Sequence, residues 1–278
     1  MKDPRASFIE LDSGLGMGAG APSPSWQPLT ALPLLILVGV TGVGKSTTVT
    51  AVQQLAPGLR LLPNRRTLTD WLIIGALQQA DGMPIEPVTD RAARFGYTRR
   101  YRERYPGGMA HALSRLLVDT GQFSGGLLFD GLRGANEVTH AANLLPHARF
   151  IMLDAPDLVR VVRLLARADD FDRISTETAK IANRAVAELP EARALFDAVE
   201  MQTLQQLIDE DPDLFDDLRA KLKIVAEERR NYDPAATRMA LETVAPRRSS
   251  IIDTVTHSPD QAAMQMCAAF IEWEKQRP

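Results

Sequence analysis

The feature that most constrains this chain is a glycine-rich octapeptide, Gly39 to Ser46, set between an apolar run and a helix-forming stretch. The apolar run, 34–38, has the length of a buried strand, and residues 45–55 suit a helix. Glycines let the backbone curl so that its amide groups point inward, and a helix start adds the positive end of its dipole. An ordinary glycine turn would need neither Lys45 nor Ser46, so the segment predicts a phosphate-binding loop.

The pattern G-x-x-x-x-G-K-[ST] is that of a P-loop, and it assigns roles to individual residues. Lys45 is predicted to reach the β- and γ-phosphates of ATP and to act in catalysis, and Ser46 to offer its hydroxyl to Mg²⁺. The other predicted nucleotide contacts are Gly39, Thr41, Gly42, Val43, Gly44 and Thr47. ATP and Mg²⁺ are therefore the expected cofactors.

A second apolar run, 126–129, ends in a carboxylate. Asp130 follows Phe129 directly and precedes Gly131, which suits a tight turn. Ligands of open α/β sheets bind at the carboxyl edge of the strands. Asp130 is therefore predicted to hold Mg²⁺, directly or through water, beside the phosphates. An aspartate that merely caps the strand is the alternative.

Apolar runs alternate with amphipathic stretches from Leu32 onward, which predicts an α/β fold with a three-layer parallel sheet. The predicted strands are 34–38, 59–62, 126–129, 149–153 and 250–253, and the predicted helices are 45–55, 69–79, 108–120, 157–168 and 259–273.

The chain divides by composition into three kinds of segment. Residues 1–30 are rich in glycine and proline without a period, which indicates a flexible leader. Residues 175–242 are continuously helix-forming and predict a helical insertion, or lid, before the last strand. The P-loop core then consists of 31–174 and 243–278.

Bulk properties exclude several classes of protein. A formal net charge of -3 provides no global attraction to nucleic acid or acidic membranes. The most apolar run, 32–40, is too short to span a bilayer. Cys267 is the single cysteine, which excludes an internal disulfide and a multi-cysteine metal site. We therefore expect a cytoplasmic protein without a membrane partner.

Three segments resemble adenylate kinase and related nucleoside monophosphate kinases. Residues 128–133 are similar to the D-G-F-P-R strand end of that family, although no proline precedes Arg133. Residues 150–156 are similar to the next strand, and 251–260 to the end of many small kinases. The family's acceptor motif T-G-D-x-x-R is represented by 69–73 without its glycine and arginine. The resemblance thus concerns the ATP-binding half of these kinases and not the half that binds the acceptor.

Several arginines are candidates for stabilising the transferred charge, which spreads over the equatorial oxygens of the migrating group. Arg133 follows the second strand end. Arg163 and Arg167 are spaced i,i+4, so that both project from one helix face toward a shared phosphate. A solvated face paired with the nearby aspartates is the competing interpretation of this pair.

The acceptor is predicted to lie among basic residues after the second strand. Candidate acceptor-binding residues are Arg65, Arg66, Asp70, Arg94 and Arg99, with Asp70 as a base toward an acceptor hydroxyl. Segment 91–105 interleaves arginines with Phe95, Tyr97, Tyr101 and Tyr105. This pattern suits an anionic acceptor or the bases and phosphates of a nucleic acid. A charged helix face with core aromatics is the other interpretation.

The leading hypothesis is an ATP-dependent P-loop kinase that transfers the γ-phosphoryl group to a small-molecule or nucleotide acceptor. One alternative is an ATPase or nucleotide-dependent switch. Gly131 after Asp130, where hydrolases often carry a second acidic residue, favours transfer over hydrolysis. A polynucleotide-end kinase that holds its strand with segment 91–105 is the other alternative, although a nucleic-acid partner is not favoured.

Overall fold

The structure, a computed structural model, describes residues 8–123, 126–166 and 185–275. Its strands are β1 (Ile9–Asp12), β2 (Leu15–Met17), β3 (Trp26–Pro28), β4 (Leu34–Val38), β5 (Arg60–Leu61), β6 (Leu117–Asp119), β7 (Leu127–Leu132), β8 (Ala148–Asp154) and β9 (Ser249–Asp253). Its helices are α1 (Lys45–Leu55), α2 (Arg65–Thr69), α3 (Ala76–Ala80), α4 (Arg91–Arg104), α5 (Met109–Ser114), α6 (Gly134–Leu144), α7 (Asp157–Leu165), α8 (Pro190–Leu195), α9 (Ala198–Glu210), α10 (Leu214–Asn231), α11 (Pro234–Val244) and α12 (Pro259–Lys275). A π-helical segment, Asp70–Gly75, joins α2 to α3.

Five strands form a parallel sheet in the order β5-β7-β4-β8-β9. The central strand β4 pairs with β7 on one side and β8 on the other, so that Leu34 lies opposite both Leu127 and Ala148. In this sheet the chain continues from β4 to β5 on one side, whereas from β7 it crosses β4 and continues to β8 on the other side. Because these two connections run in opposite directions, a crevice opens between the carboxyl ends of β4 and β7, where ligands of such sheets bind.

The residues of β4 are buried on both faces of the sheet and alternate between two apolar clusters. Leu34, Ile36 and Val38 pack with residues of α5, α6 and α11. Leu35 and Leu37 pack with residues of α1 and α12. This period of two, with helices on both sides, confirms the predicted three-layer α/β fold.

The amino-terminal segment is not the loose leader that its composition predicts. From Ile9 to Pro28 it contributes β1, β2 and β3 to a four-stranded antiparallel sheet in the order β1-β2-β6-β3. Leu15 and Met17 are buried there. The same pairing explains why the predicted helix 108–120 ends early, since Leu117–Asp119 is strand β6. Hydrogen bonds to a distant segment leave no local periodicity, and residues 1–7 lie outside the described part of the chain.

Helices α8, α9 and α10 pack around an apolar cluster of their own, which includes Leu204 and Leu218 and reaches α7 through Val161 and Leu164. Helix α11 instead packs on α6, and its Leu241 belongs to the cluster on one face of the sheet. The segment before β9 is thus helical from α8 onward, as predicted, while 175–184 lie outside the described residues. A division of the chain into core and insertion at residue 242 stays a prediction. No helix in the described ranges is long and apolar enough to cross a membrane.

Candidate functional site

The glycine-rich loop connects β4 directly to α1, whose first residue is Lys45 as predicted. Gly44 precedes the helix with φ 93°, a left-handed conformation that favours glycine. Gly42, with φ 86°, lies against α7 so closely that an added Cβ would be 2.9 Å from the carbonyl oxygen of Arg160. Two glycines are therefore required by geometry, and the strand, loop and helix have the arrangement of a P-loop fold.

Lys45 is half-buried at the start of α1, and its Nζ donates a hydrogen bond across the loop to the carbonyl of Val40 at 3.0 Å. Burial lowers the pKa of Lys45 to about 8, opposed by the negative charge of Asp130 and reinforced by the positive charge of Arg133. The ammonium group of Lys45 thus lies among charged side chains, and a bound anion would form an additional ion pair with it.

Asp130 lies at a bulge near the carboxyl end of β7. Leu37 pairs with Asp130 and Val38 with Leu132, so that Gly131 is an extra residue in the strand. Such bulges redirect side chains beside functional sites. Burial raises the pKa of Asp130, an effect that the charge of Lys45 opposes most strongly.

A divalent cation would suit the oxygens present at this point. Oδ1 of Asp130 is buried and has no hydrogen-bond partner among the described residues. The hydroxyl-bearing Ser46 lines the same cavity as Asp130. Mg²⁺ prefers oxygen ligands and retains several waters, so one carboxylate and one hydroxyl beside a polyphosphate fit it.

The predicted residues meet at a cavity of about 260 Å³ beyond the carboxyl edge of the sheet. It is lined by Thr41, Gly42, Lys45, Ser46, Asn64, Arg65, Arg66, Asp130, Gly131 and Arg133. The P-loop forms one wall, the end of β7 the second, and the start of α2 the third. Four of these side chains are cationic and one is a carboxylate, so the cavity attracts anions.

Arg65 links two walls of the cavity. Its guanidinium donates to the carbonyl of Gly131 at 2.6 Å and to both carboxylate oxygens of Glu137, at 2.8 and 2.5 Å. Glu137, on α6, also accepts the backbone N–H of Arg133 at 2.9 Å. This bidentate pair therefore holds the strand end and the start of α6 in place, a contact that the sequence did not predict.

A second unpredicted cluster joins the P-loop to α7 and α10, and we call Glu228, Thr41, Arg133 and Arg160 the Glu228 clasp. The carboxylate of Glu228 accepts hydrogen bonds from N and Oγ1 of Thr41 at 2.9 and 2.6 Å. It also accepts from Nη1 of Arg133 at 3.0 Å and Nη2 of Arg160 at 2.6 Å. Arg160, fully buried, donates further to the carbonyl of Thr41 at 2.8 Å and to Asp157 at 2.5 Å.

Arg163, which is also predicted to act in transfer, is not among the described residues that line the cavity. Arg163 donates to Oγ1 and to the carbonyl of Thr254 at 2.8 and 2.6 Å, and its guanidinium lies beside Gly44. Arg167 lies outside the described residues. The expected convergence of this pair on one phosphate therefore stays a prediction.

The predicted acceptor residues are separated by the structure. Arg65 and Arg66 line the cavity, whereas Asp70 and Arg94 form an ion pair with each other outside its lining. Arg99 is exposed on α4.

Segment 91–105 is in large part structural. Arg100 pairs with Asp81. Tyr101 is buried, and its hydroxyl lies 2.8 Å from Nδ1 of His111. Tyr101 is therefore a core aromatic residue, whereas Phe95 is 56% exposed, and a binding role for the exposed part of the segment stays a prediction.

Solved structures similar to this chain include two of interest. A sulfotransferase from Alicyclobacillus acidocaldarius has a TM-score of 0.42 at 12% identity, over 86% of this chain and 80% of that one. Shikimate kinase from Acinetobacter baumannii, in complex with shikimate, has a TM-score of 0.39 at 16% identity, over 90% of this chain and 100% of that one. No protein-family model matches the chain, and no curated protein matches it. At these identities neither structure identifies a substrate, so the function is inferred from the site itself.

Proposed function

We propose that this chain is an ATP-dependent phosphotransferase of the small P-loop type, with Mg²⁺ as its metal. One observation carries the proposal: a single cavity brings together Lys45 and Ser46 of the P-loop and the unpartnered carboxylate oxygen of Asp130. Phosphoryl transfer asks a protein mainly for positioning and positive charge, and this cavity supplies both.

Each wall of the cavity has a role in the proposed reaction. The amides of the P-loop and Lys45 would hold the phosphates, and Asp130 and Ser46 would hold Mg²⁺, which supplies positive charge to neutralise the phosphate oxygens. Arg133 follows the end of β7 and is proposed to stabilise the negative charge on the phosphoryl group during its transfer. Arg66, at the start of α2, faces the same cavity and marks the side from which the acceptor approaches.

Transfer to an acceptor is favoured over hydrolysis by the composition of the cavity. Among its lining residues in the described part of the chain, Asp130 is the one carboxylate, and Gly131 follows it. A second acidic residue that would polarise water is therefore not among them. Helices α8, α9 and α10 are proposed to act as a lid that keeps water out, because wasteful hydrolysis has to be suppressed in a kinase. The acceptor is a small molecule or a nucleotide, and a cytoplasmic location stays a prediction.

The test is a transfer assay with ATP labelled on the γ-phosphate, run with Mg²⁺ against nucleosides, nucleotides, small metabolites and oligonucleotide ends. We expect label on a small acceptor, with little free phosphate measured in parallel. Lys45→Ala should lower transfer by two orders of magnitude or more, roughly the loss of one positioned charge in a water-excluded site. Lys275→Ala, at the exposed end of α12, is the matched control and should behave as wild type.

Two results would contradict the proposal. Label that appears only as free phosphate would favour an ATPase. Lys45→Ala with unchanged nucleotide affinity and turnover would show that the loop does not bind the substrate at all.

A further inference from the structure

The carboxylate of Glu228 fills an anion-binding position within the P-loop. It accepts the backbone N–H and the hydroxyl of Thr41 together with one guanidinium N–H from each of Arg133 and Arg160. The side chain of Glu228 is 8% exposed. Four donors converging on one buried carboxylate form a complete anion site, and an internal residue occupies it.

This anion site borders the cavity of the proposed reaction. Thr41 and Arg133 line that cavity together with Lys45 and Asp130. Glu228 is also close enough to Lys45 for its negative charge to raise the pKa of that lysine against the effect of burial. Two of the residues that hold Glu228, Thr41 and Arg133, therefore face the cavity in which the phosphates would lie.

The order of donors along the loop indicates which phosphate would use them. In a P-loop the amides near the conserved lysine cradle the inner phosphates, and the lysine reaches toward the outermost one. Thr41 precedes that stretch of the loop, and Arg133 comes from the neighbouring strand end. A third phosphate that extends from this cradle would meet these two residues next.

We propose that Glu228 is an internal competitor for the terminal phosphate of the nucleotide, an inference that rests on the proposed function. Two anions cannot share the same donors, so a nucleoside triphosphate displaces the carboxylate from Thr41 and Arg133. A nucleoside diphosphate, which ends before these donors, leaves Glu228 in place. Glu228 thereby sets how strongly the site distinguishes triphosphate from diphosphate.

Both arginines of the clasp keep an anionic partner after this displacement. Arg160 retains Asp157 as an ion-pair partner at 2.5 Å when Glu228 leaves. Arg133 exchanges one anion for another, because the phosphate replaces the carboxylate. Because α10 also contacts α7 through the ion pair of Arg229 and Asp157, the helix keeps its place when the carboxylate of Glu228 changes partners.

The test compares nucleotide affinities by calorimetry with Mg²⁺, using a non-hydrolysable ATP analogue and ADP. Glu228→Gln keeps the shape and removes the charge. We expect it to bind the triphosphate roughly tenfold more tightly, because the competing state is destabilised, and to bind ADP within about twofold of wild type. Glu227→Gln makes the same change at the exposed neighbouring position and should match wild type for both nucleotides.

Retained ADP affinity shows in the same experiment that the variant is folded. Glu228→Asp, which keeps the charge on a shorter side chain, should bind the triphosphate with an affinity between those of wild type and Glu228→Gln. The inference is overturned if Glu228→Gln weakens triphosphate binding, leaves it unchanged, or strengthens both nucleotides equally. If neither nucleotide binds to any of the proteins, the proposed function itself fails and this inference fails with it.

Discussion

At the scale of single residues, Lys45 shows how burial and function oppose each other. Its ammonium group is removed from water, which lowers its pKa to about 8. Such a group is partly neutral under mildly alkaline conditions and regains its proton when an anion arrives. Phosphate binding and protonation of Lys45 are therefore expected to be coupled.

This coupling can be measured as proton uptake. The free protein loses the Lys45 proton as the pH rises through about 8, and bound phosphates raise the pKa again. At pH 8.5, where the phosphates of ATP are fully ionised, ATP binding should take up roughly half a proton or more, and affinity should fall as the pH rises further. Calorimetry in two buffers of different ionisation enthalpy measures the uptake. Binding without proton uptake at this pH would show that Lys45 is already charged in the free site.

The residues of the site differ in how well the sequence alone predicts their role. Lys45, Ser46 and Asp130 could be predicted because a loop or a strand end carries each within a few neighbouring residues. Glu228 could not be, because it meets Thr41 across 187 positions of chain. Arg160 lies one turn before Arg163 on α7, but nothing local indicates that it, rather than Arg163, binds Glu228.

At the scale of elements, buried strands were the most predictable part of the fold. The predicted bounds of β4 and α1 agree with the structure residue by residue, because a run buried on both faces and a glycine loop mark them. Strand β6 lies within the predicted helix 108–120, so that prediction is wrong at its carboxyl end. It is three residues long, and its pairing partners lie about a hundred residues earlier in the chain. Short strands that depend on distant partners carry little signal of their own.

Two glycines outside the site give opposite predictions for stability. Gly96 lies inside α4, and a Cβ added there meets no atom within 4 Å. Gly96→Ala should therefore raise the free energy of unfolding by about 0.5–1 kcal/mol, since alanine is the better helix former. Gly126 precedes β7, where an added Cβ would be 2.5 Å from the buried ring of Phe270. Gly126→Ala should therefore lower the free energy of unfolding by about 1–3 kcal/mol.

Denaturant titration of Gly96→Ala, Gly126→Ala and the wild type measures both changes in the free energy of unfolding. Transfer activity should stay unchanged in Gly96→Ala, because neither glycine lines the cavity. Loss of stability in Gly96→Ala would mean that α4 is packed more closely than its open surroundings indicate.

At the scale of the whole molecule, the described residues form three apolar clusters that stabilise different parts of the fold. Two lie on the two faces of the parallel sheet and hold the P-loop rigid from below. The third belongs to α8, α9 and α10 and meets the rest of the chain at α7. Because that cluster has its own buried side chains, its helices can loosen without disturbing the sheet. A lid that opens for substrates requires such partial independence.

The independence of this cluster is tested by removing one of its central side chains. Leu218, on α10, is fully buried, and Leu218→Ala should cost about 2–5 kcal/mol. We expect amide exchange to rise across 198–231 while β4 and β8 stay protected. Val199→Ala, at a position 72% exposed, is the control and should leave exchange unchanged.

The variant Leu218→Ala also tests whether the lid affects phosphoryl transfer. A loosened α10 admits water to the cavity, so transfer to an acceptor should fall while release of free phosphate from ATP rises. The loosening also frees Glu228 from Thr41, so triphosphate affinity should increase, which is also the result expected for Glu228→Gln. Exchange that accelerates equally in the helices and in the sheet would instead show that both unfold as one unit, which is incompatible with a separately opening lid.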